Sequence, residues 1–344
     1  MKHVVIGGCG FIGYNLSEYL LNEGHQVVVL DNLSRRGTTM NLSNLNSKST
    51  GDFTFEQCDI RLDNPILEKH IADADVVYHL AAQVAVTTSV VNPLLDFEIN
   101  LKGTFNILEA ARKTKSKAVI IYASTNKVYG GMEEIRIENN GSRYYYVDYP
   151  DGISESQQLD FHSPYGCSKG GAEQYIRDYS RIYGLKTICF RQSCIYGPNQ
   201  FGIEDQGWVA WFTIAAIYNK SISIYGDGMQ VRDVLHVSDL IQAYQACVDN
   251  IDKTNGQIYN LGGGRVNVAS LLELLNLLEE KIGRDIPYKF ADWRPGDQPV
   301  YISDIKKITT ETNWKPLVSF DQGIDTLIEW VQSNKQTLKS VGII

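Results

Sequence analysis

The stretch MKHVVIGGCGFIG, residues 1–13, decides the fold of this 344-residue chain. Its apolar run up to Ile6 predicts a buried strand. Gly7, Gly10 and Gly13 follow at a Gly-x-x-Gly-x-x-Gly spacing, where the first helix begins. Glycine permits a tight turn and a close approach of the backbone to a pyrophosphate, and a helix N-terminus offers that anion free N–H groups. The stretch therefore predicts a dinucleotide site at the first strand-to-helix turn.

Beyond this stretch, apolar runs alternate with helical patterns through the first half of the chain. Further strands are predicted at Gln26 to Leu30, near Phe53, near Val76, at Ala118 to Tyr122 and at Lys186 to Phe190. Apolar residues at helical spacing predict a long helix from Pro93 to Lys113. The alternation predicts an α/β fold: a doubly wound parallel sheet of the Rossmann type with a smaller mixed α/β C-terminal substrate domain.

The predicted domains divide where the elements become shorter and less regular. Residues 1–190 are predicted to form the dinucleotide-binding domain, with residues 234–262 returning to it. Residues 191–233 and 263–344 are predicted to bind the substrate. Residues 131–162 interrupt the pattern with polar and aromatic residues. This insertion is interpreted as an active-site lid or, almost equally well, as a surface excursion.

Asp31 ends the second predicted strand, about twenty residues after the glycine motif, where a carboxylate can accept both hydroxyls of a ribose. The same carboxylate would repel a 2′-phosphate, so the expected cofactor is NAD rather than NADP. Arg35 and Arg36 weaken this preference slightly, and their alternative interpretation is a solvated basic turn.

Composition limits the remaining function classes. The net charge of −8, from 32 basic and 40 acidic side chains, predicts no nucleic-acid partner and no attraction to an anionic membrane surface. No leader segment precedes the first strand and no apolar run reaches the roughly 18 residues of a membrane span, so a cytoplasmic location is expected. The cysteines are scattered along the chain, so we expect them to be reduced thiols that form no metal site. Cys194 is the one of most interest.

Tyr165 and Lys169 form a Tyr-x-x-x-Lys pair on one face of a helix that begins at Pro164. A tyrosine with an ordinary pKa of about 10 is a poor base at neutral pH, and a nearby ammonium together with a positively charged nicotinamide ring favours its phenolate. Residues 122–130, YASTNKVYG, follow a buried strand at the edge where open parallel sheets place their ligands.

Together, these motifs resemble the extended short-chain dehydrogenase/reductase family, specifically its nucleotide-sugar epimerases and dehydratases, over nearly the whole chain. The resemblance implies a catalytic triad of Thr125, Tyr165 and Lys169, with Thr125 rather than Ser124 at the hydroxyl position counted back from Tyr129. It implies adenine contacts at Asp59 and Ile60 and backbone contacts at Leu80, Ala81 and Ala82. The full predicted NAD-binding set is Gly7, Gly10, Phe11, Ile12, Gly13, Asp31, Asn32, Ser34, Arg35, Asp59, Ile60, Leu80, Ala81, Ala82, Asn100, Ser124, Tyr165, Lys169 and Ser193.

The resemblance also implies that arginines grip the substrate diphosphate. The candidates are Arg232 in VRDVLHV, residues 231–237, and Arg294 in WRPGD, residues 293–297. The alternative for either is a structural ion pair, for instance with Asp233 or Asp297. The predicted substrate-binding set is Gln83, Asn126, Gln206, Tyr225, Arg232 and Arg294.

The two residues after Thr125 bear on the reaction. Dehydratases of the family carry an acidic pair there, because elimination of water needs its own acid and base. Asn126 and Lys127 occupy the positions here, which favours oxidation of a sugar carbon by NAD and return of the same hydride. Three stretches, residues 124–130, 158–165 and 205–212, resemble epimerases that invert C2 of a CDP-deoxysugar. The alternatives are a UDP- or GDP-sugar 4-epimerase or 4-reductase and, disfavoured by the triad, a non-catalytic sensor. A homodimer or homotetramer is expected through residues 93–113 and the helix from Pro164.

Overall fold

The computed structural model describes residues 1–48, 52–62, 65–294 and 297–344. Its strands are β1 (Lys2–Ile6), β2 (Gln26–Asp31), β3 (Phe53–Gln57), β4 (Val76–His79), β5 (Val119–Thr125), β6 (Ile137–Asn139), β7 (Tyr144–Tyr146), β8 (Lys186–Gln192), β9 (Cys194–Tyr196), β10 (Ile222–Tyr225), β11 (Val231–His236), β12 (Gln257–Leu261), β13 (Val268–Ser270), β14 (Tyr288–Ala291) and β15 (Val300–Tyr301). Its α-helices are α1 (Phe11–Asn22), α2 (Thr38–Lys48), α3 (Pro65–Ile71), α4 (Val86–Val91), α5 (Pro93–Phe97), α6 (Gly103–Thr114), α7 (Pro164–Tyr183), α8 (Trp208–Ile217), α9 (Val237–Asp249), α10 (Ile251–Thr254), α11 (Leu271–Ile282), α12 (Lys306–Thr312), α13 (Phe320–Ser333) and α14 (Lys335–Ser340).

A seven-stranded sheet in the order β12-β8-β5-β4-β1-β2-β3 organises the first half of the chain. The pairings among β1 to β5 are all parallel. From β1 the chain winds outward through β2 and β3 and then returns to the other side of β1 with β4. The strand order therefore reverses between β1 and β4, which is the crevice where open α/β sheets bind their ligands. The predicted doubly wound Rossmann fold is confirmed.

The helix predicted from Pro93 to Lys113 is an unbroken run of three segments. Asn92 accepts a hydrogen bond from the Leu95 N–H and caps α5, a π-helical turn covers Glu98–Lys102, and α6 follows. The wider turn lies in the middle of the predicted helix. Apolar residues of α6 pack on β4 and β5 in the hydrophobic core beside the seven-stranded sheet, called here the first core.

The chain divides into two compact units whose boundaries differ from the predicted ones. The first unit contains residues 1–128, 163–191 and 243–259, and the second contains residues 129–162, 192–242 and 260–344. Residues 129–162 belong with the second unit because the hairpin β6–β7 is bonded there: Tyr144 N–H donates to Met229 O at 3.0 Å, and the Tyr146 hydroxyl donates to Val300 O at 2.8 Å. The functional roles of the two units stay predictions.

The second unit has a core of its own, built on α8, α11 and α13 around β10. The first turn of α11 is fixed by a capping box between Ser270 and Glu273, and α13 has the same device at Ser319 and Gln322. Within the described ranges, no helix combines the length and the apolar character needed to cross a membrane.

Candidate active site

The glycine turn lies against the loop that follows β4. Gly7 has φ +83°, and a Cβ placed on it would stand 2.6 Å from the Ala81 nitrogen, so a side chain there would displace that loop. Gly10 caps α1 without a side-chain acceptor, and the first turn of α1 carries no acidic residue. The turn therefore fits a pyrophosphate, which the N–H groups of the first turn, including those of Phe11 and Ile12, could receive.

Asp31, at the end of β2, is tied to the glycine turn. One carboxylate oxygen accepts a hydrogen bond from Cys9 N–H at 3.0 Å, and the other accepts from Leu33 N–H at 2.8 Å. Burial raises the pKa of Asp31, and these two backbone donors partly offset that rise. Each oxygen keeps a second lone pair, so the carboxylate fits two ribose hydroxyls. The bond from Cys9 joins two residues 22 positions apart, which no spacing pattern predicts.

The predicted adenine contacts follow β3. The Arg61 guanidinium binds the Asp59 carboxylate at 2.6 Å and lowers the pKa of Asp59 to about 2. The same carboxylate accepts a hydrogen bond from the Asn32 amide at 3.1 Å, and Asn32 in turn accepts from Ser34 N–H. Ile60 is buried in the first core. Arg61 holds the Asp59 carboxylate in place and is not among the residues predicted from the sequence.

Helix α7 brings Tyr165 and Lys169 together one turn apart on a buried face. Ser163 caps the helix by accepting a hydrogen bond from Gly166 N–H at 3.0 Å, and Pro164 occupies its first position. Tyr165 is 8% exposed and Lys169 is 4% exposed. Thr125, the last residue of β5, is equally buried and bonds to the Tyr165 side chain.

Burial raises the pKa of the Tyr165 phenol to about 12. The hydrogen bond from Thr125 and the charge of Arg35 both lower this pKa, whereas the Asp96 carboxylate raises it further. The positive charge of Arg35 therefore favours the ionised form of Tyr165. The interpretation of Arg35 as part of a solvated basic turn does not predict this effect. A phenol with this pKa stays protonated at neutral pH until further positive charge is added.

The Lys169 ammonium is directed at β5. Its Nζ donates to the Ala123 carbonyl and lies 4.3 Å from the centroid of the Tyr122 ring. Burial lowers the pKa of Lys169 to about 8. Thr125 and Arg35 are the groups that lower the pKa of Tyr165 in this arrangement, whereas the motif alone predicts that role for Lys169.

A buried ion pair supports the end of β5 from behind. Glu173, fully buried on α7, binds the Arg191 guanidinium at 2.5 Å and accepts a hydrogen bond from the Ser124 hydroxyl at 2.9 Å. The hydroxyl of Ser124 thus bonds to the interior, while the hydroxyl of Thr125 bonds to Tyr165.

Asn100 and Gln83 are bonded to each other. The Asn100 side chain accepts from Gln83 N–H at 2.9 Å and donates to Gln83 O at 3.0 Å, which clamps the loop after β4. The Gln83 amide donates to Asp96 at 2.7 Å. Asn126 begins a 3-10 turn after β5, and its side-chain oxygen faces the Thr125 hydroxyl at 3.4 Å.

The remaining predicted contacts lie in the second unit. Arg232 binds Asp297 at 2.6 Å, which is one of the ion pairs considered as its alternative role. Arg294 binds Asp205 at 2.9 Å and stacks 4.0 Å from the centroid of the Tyr225 ring. Pro295 and Gly296 of the same predicted segment lie outside the described residues.

Three further side chains of the second unit have defined partners. Gln206 exchanges backbone hydrogen bonds with Ile203, and the Ser193 hydroxyl donates to Asp233. Cys194 Sγ accepts a hydrogen bond from the indole of Trp208 at 3.3 Å. The cofactor and substrate roles of these residues stay predictions.

A Rossmann sheet with a glycine motif at its reversal point and a buried Thr-Tyr-Lys cluster beside it is the pattern of the extended short-chain dehydrogenase/reductases. Within that class, the chain belongs to the family described as GDP-mannose 4,6 dehydratase, whose model matches residues 4–327. The resemblance drawn from the sequence motifs is confirmed.

Individual relatives match nearly the whole chain. A CDP-paratose 2-epimerase from Salmonella typhi is 48% identical over 341 residues, which are 97% of this chain and 100% of that protein. Among solved structures, a UDP-glucuronic acid 4-epimerase from Bacillus cereus in complex with UDP-glucuronic acid and NAD is 29% identical, with a TM-score of 0.82 over 97% of this chain and 99% of that one. A dTDP-glucose 4,6-dehydratase from Streptomyces venezuelae with NAD bound is 27% identical, with a TM-score of 0.85 over 99% and 100%.

Proposed function

We propose that this protein is an NAD-dependent epimerase that inverts C2 of a CDP-deoxysugar, converting CDP-paratose to CDP-tyvelose. The observation that carries the proposal is the 48% identity to a CDP-paratose 2-epimerase along the entire length of that relative. The family name refers to a dehydratase, but Asn126 and Lys127 stand where an acidic pair follows the catalytic threonine in dehydratases. The chain has no carboxylate at those two positions, which supports epimerisation over elimination.

Two features of the first unit support the binding of NAD. The glycine turn suits the pyrophosphate and Asp31 suits the ribose hydroxyls. When bound, NAD supplies a hydride acceptor and a positively charged ring next to the sugar. The remaining chemistry is proton transfer by the chain itself.

Tyr165 is the acid/base in this proposal. Its phenolate takes the proton of the C2 hydroxyl when the sugar is oxidised, and the phenol returns a proton to the oxygen when the 2-keto sugar is reduced. The hydroxyl of Thr125 shares this proton, and its bond to Tyr165 supports that role. Lys169 lies one turn further along α7, where its ammonium is held by the Ala123 carbonyl of β5, and Arg35 is the cation that favours the phenolate.

The proposal is tested by the substrate and by the hydrogen at the inverted carbon. NAD-loaded protein should convert CDP-paratose to CDP-tyvelose and should not convert UDP-glucose, GDP-mannose or their 4-epimers. In heavy water, the product should carry no deuterium at C2, because the hydrogen removed from that carbon returns to it. Turnover of a UDP- or GDP-sugar at C4 would establish the alternative 4-epimerase. Solvent deuterium at C2 would exclude the mechanism.

A second copy of the chain is the proposed partner of one apolar face of the first unit. Helices α4, α5 and α7 expose large apolar side chains near both ends of α7, and the rings of Phe105 and Tyr175, 5.8 Å apart and 40% and 45% exposed, lie between these ends. Exposed apolar patches of this kind mark interaction sites. The side chains near the two ends are Val91 at 86%, Leu94 at 67%, Phe97 at 49%, Ile182 at 65% and Tyr183 at 51% exposed. A two-fold axis would pair this face with itself and cover these side chains, as in a homodimer or in each half of a homotetramer.

A further inference from the structure

Asp96 is a fully buried carboxylate next to the proposed site. It lies on α5 and accepts three hydrogen bonds. The donors are the Ser168 hydroxyl at 2.5 Å, the Gln83 amide at 2.7 Å and the Asn100 amide at 3.1 Å. All three donors are neutral. Burying a carboxylate without a cation in direct contact is costly, which suggests that the charge has a use.

The orientation of both amides is fixed by their other bonds. Asn100 Oδ1 accepts from the backbone N–H of Gln83, so its nitrogen must face Asp96. Gln83 Oε1 accepts from Ala85 N–H at 2.6 Å, so its nitrogen faces Asp96 as well. Asp96 Oδ1 therefore accepts from two groups that can only donate.

Ser168 connects Asp96 to the acid/base. It lies on α7 between Tyr165 and Lys169, and its hydroxyl is 3.1 Å from the Tyr165 carbonyl oxygen as well as 2.5 Å from Asp96. Through Gln83 and Asn100 the same carboxylate holds the loop after β4. The hydrogen bonds of this one carboxylate thus connect α7, which carries Tyr165, to the loop after β4, which lies against the glycine turn.

We propose that Asp96 is a positioning residue for the reaction proposed above: it places a buried carboxylate against the turn of α7 that carries Tyr165, and its hydrogen bonds hold that turn against the loop after β4. The inference rests on the proposed function, in which a single phenol must both take and return a proton. A phenol surrounded only by cations would release its proton readily and recover it poorly.

The charged groups around the phenol support this balance. Arg35 approaches from the turn after β2 and lowers the pKa of Tyr165, whereas Asp96 approaches from α5 and raises it. Lys169 lies on α7 itself, and Asp96 also raises the pKa of that ammonium. Glu173 and Arg191 neutralise each other in the interior behind β5. Asp31 faces Arg35, and Glu173 also acts on Lys169. Asp96 is the carboxylate that raises the pKa of both Tyr165 and Lys169, among the described residues.

Asp96→Asn separates the charge from the hydrogen bonds. The new amide oxygen can still accept from Gln83 and Asn100. The new amide nitrogen can donate to Ser168, whose own proton then turns to the Tyr165 carbonyl 3.1 Å away. The variant therefore removes the charge and keeps the network. Ser168→Ala does the reverse, because it keeps the charge and removes the link to α7.

The test is a titration of the Tyr165 phenol in NAD-loaded protein without any sugar. The ζ-carbon resonance of tyrosine, labelled with carbon-13 and assigned by its loss in Tyr165→Phe, is followed from about pH 6 to about pH 10. In Asp96→Asn the ionisation is expected roughly one pH unit lower than in the unsubstituted protein, which is the scale of a neighbouring charge. Asp178→Asn removes an exposed carboxylate from the same helix and should leave the titration unchanged.

The kinetic readout is the pH profile of kcat for the epimerisation. Its acidic limb should move to lower pH in Asp96→Asn by the same amount as the resonance, and Ser168→Ala should lower kcat without moving the limb. An unchanged phenol titration in Asp96→Asn would overturn the proposal. Because that titration uses no substrate, its result is independent of which sugar the enzyme epimerises.

Discussion

The backbone N–H of Cys9 donates to the Asp31 carboxylate at 3.0 Å, so the glycine turn and the end of β2 form one hydrogen-bonded unit. The second backbone donor, Leu33 N–H, holds the other oxygen at 2.8 Å. Neither bond uses all the lone pairs of its oxygen. The carboxylate is therefore already oriented for the ribose contact that we propose, which would reduce the ordering that binding requires.

Asp31→Asn is expected to weaken NAD binding by about 10- to 100-fold, because a hydrogen bond to a charged group contributes about 1.5–3 kcal/mol. The discrimination against NADP should fall at the same time, since the repulsion of a 2′-phosphate is removed. Calorimetric titration of cofactor-free protein with each dinucleotide measures both effects. The matched control is Asp52→Asn, at an exposed carboxylate that directly precedes β3 and accepts a hydrogen bond from Gln26 at the start of β2. Equal NAD affinity in the two variants would place the ribose elsewhere.

Tyr165→Phe is expected to lower kcat by about 10² to 10⁴, the usual effect of removing a positioned acid or base. The fold and the NAD affinity should be preserved, because the ring stays and only the hydroxyl is lost. Steady-state epimerisation and circular dichroism measure the two outcomes. Tyr175→Phe, at a half-exposed tyrosine of the same helix, should retain full activity. A near-normal rate in Tyr165→Phe would assign the proton transfer to another group.

The adjacent hydroxyls of Ser124 and Thr125 should respond differently to removal. Thr125→Ala takes a hydroxyl from Tyr165 and should lower kcat with little change in stability. Ser124→Ala removes one of the hydrogen bonds to the buried Glu173 carboxylate, whose Oε2 keeps the Arg191 Nε–H at 3.1 Å, so it should lower the free energy of unfolding by about 1–3 kcal/mol. Urea unfolding and kcat, measured on both variants, separate the two roles. The opposite pattern would make Ser124 the catalytic hydroxyl.

The parts of the site that could be predicted from the sequence are those set by local spacing. Gly7, Gly10 and Gly13 serve one turn, and Tyr165 and Lys169 serve one helix face, so their order along the chain already determines their neighbours. The fold class follows from the same kind of pattern, because the alternation of strands and helices is local as well.

The parts that could not be predicted depend on side chains brought together by tertiary packing. Asp96 and Ser168 are 72 residues apart in the chain, and no spacing rule relates α5 to α7. The carboxylate that binds Arg232 is likewise distant in sequence, 65 residues away at Asp297. Sequence reasoning could name the arginine as a candidate but could not choose between a phosphate and this partner.

His79 makes the stability of the protein sensitive to mild acid. It is fully buried, its Nε2 bonds to Thr104 at 2.8 Å, and burial lowers its pKa to about 3. The unfolded chain, with an ordinary histidine pKa of about 6.5, binds more protons between these values, so stability falls as the pH decreases below 6.5. His3 and His236, each with a pKa lowered to about 4, add to this slope.

His79→Gln keeps a donor to Thr104 and removes the titration. Between about pH 7.5 and about pH 5.5, the loss in free energy of unfolding should be smaller in this variant than in the unsubstituted protein by roughly 1.4 kcal/mol, the contribution of one proton over about one pH unit. Urea unfolding at the two pH values measures it. Equal losses in both proteins would mean that His79 is protonated in the folded state.

The exposed apolar face of α4, α5 and α7 gives the last prediction. Leu94→Glu places a charge at a side chain that is 67% exposed in the single chain, so the fold of one copy should be retained. In a self-complementary interface the same charge appears twice across the axis, where it is desolvated and faces its own copy. Light scattering after gel filtration should therefore give the mass of two or four chains for the unsubstituted protein and a smaller assembly for Leu94→Glu. Leu317→Glu, at an equally exposed leucine of the second unit, should keep the original mass. If the unsubstituted protein runs as one chain at micromolar concentration, or if both leucine variants keep its assembly, this face does not bind a second copy.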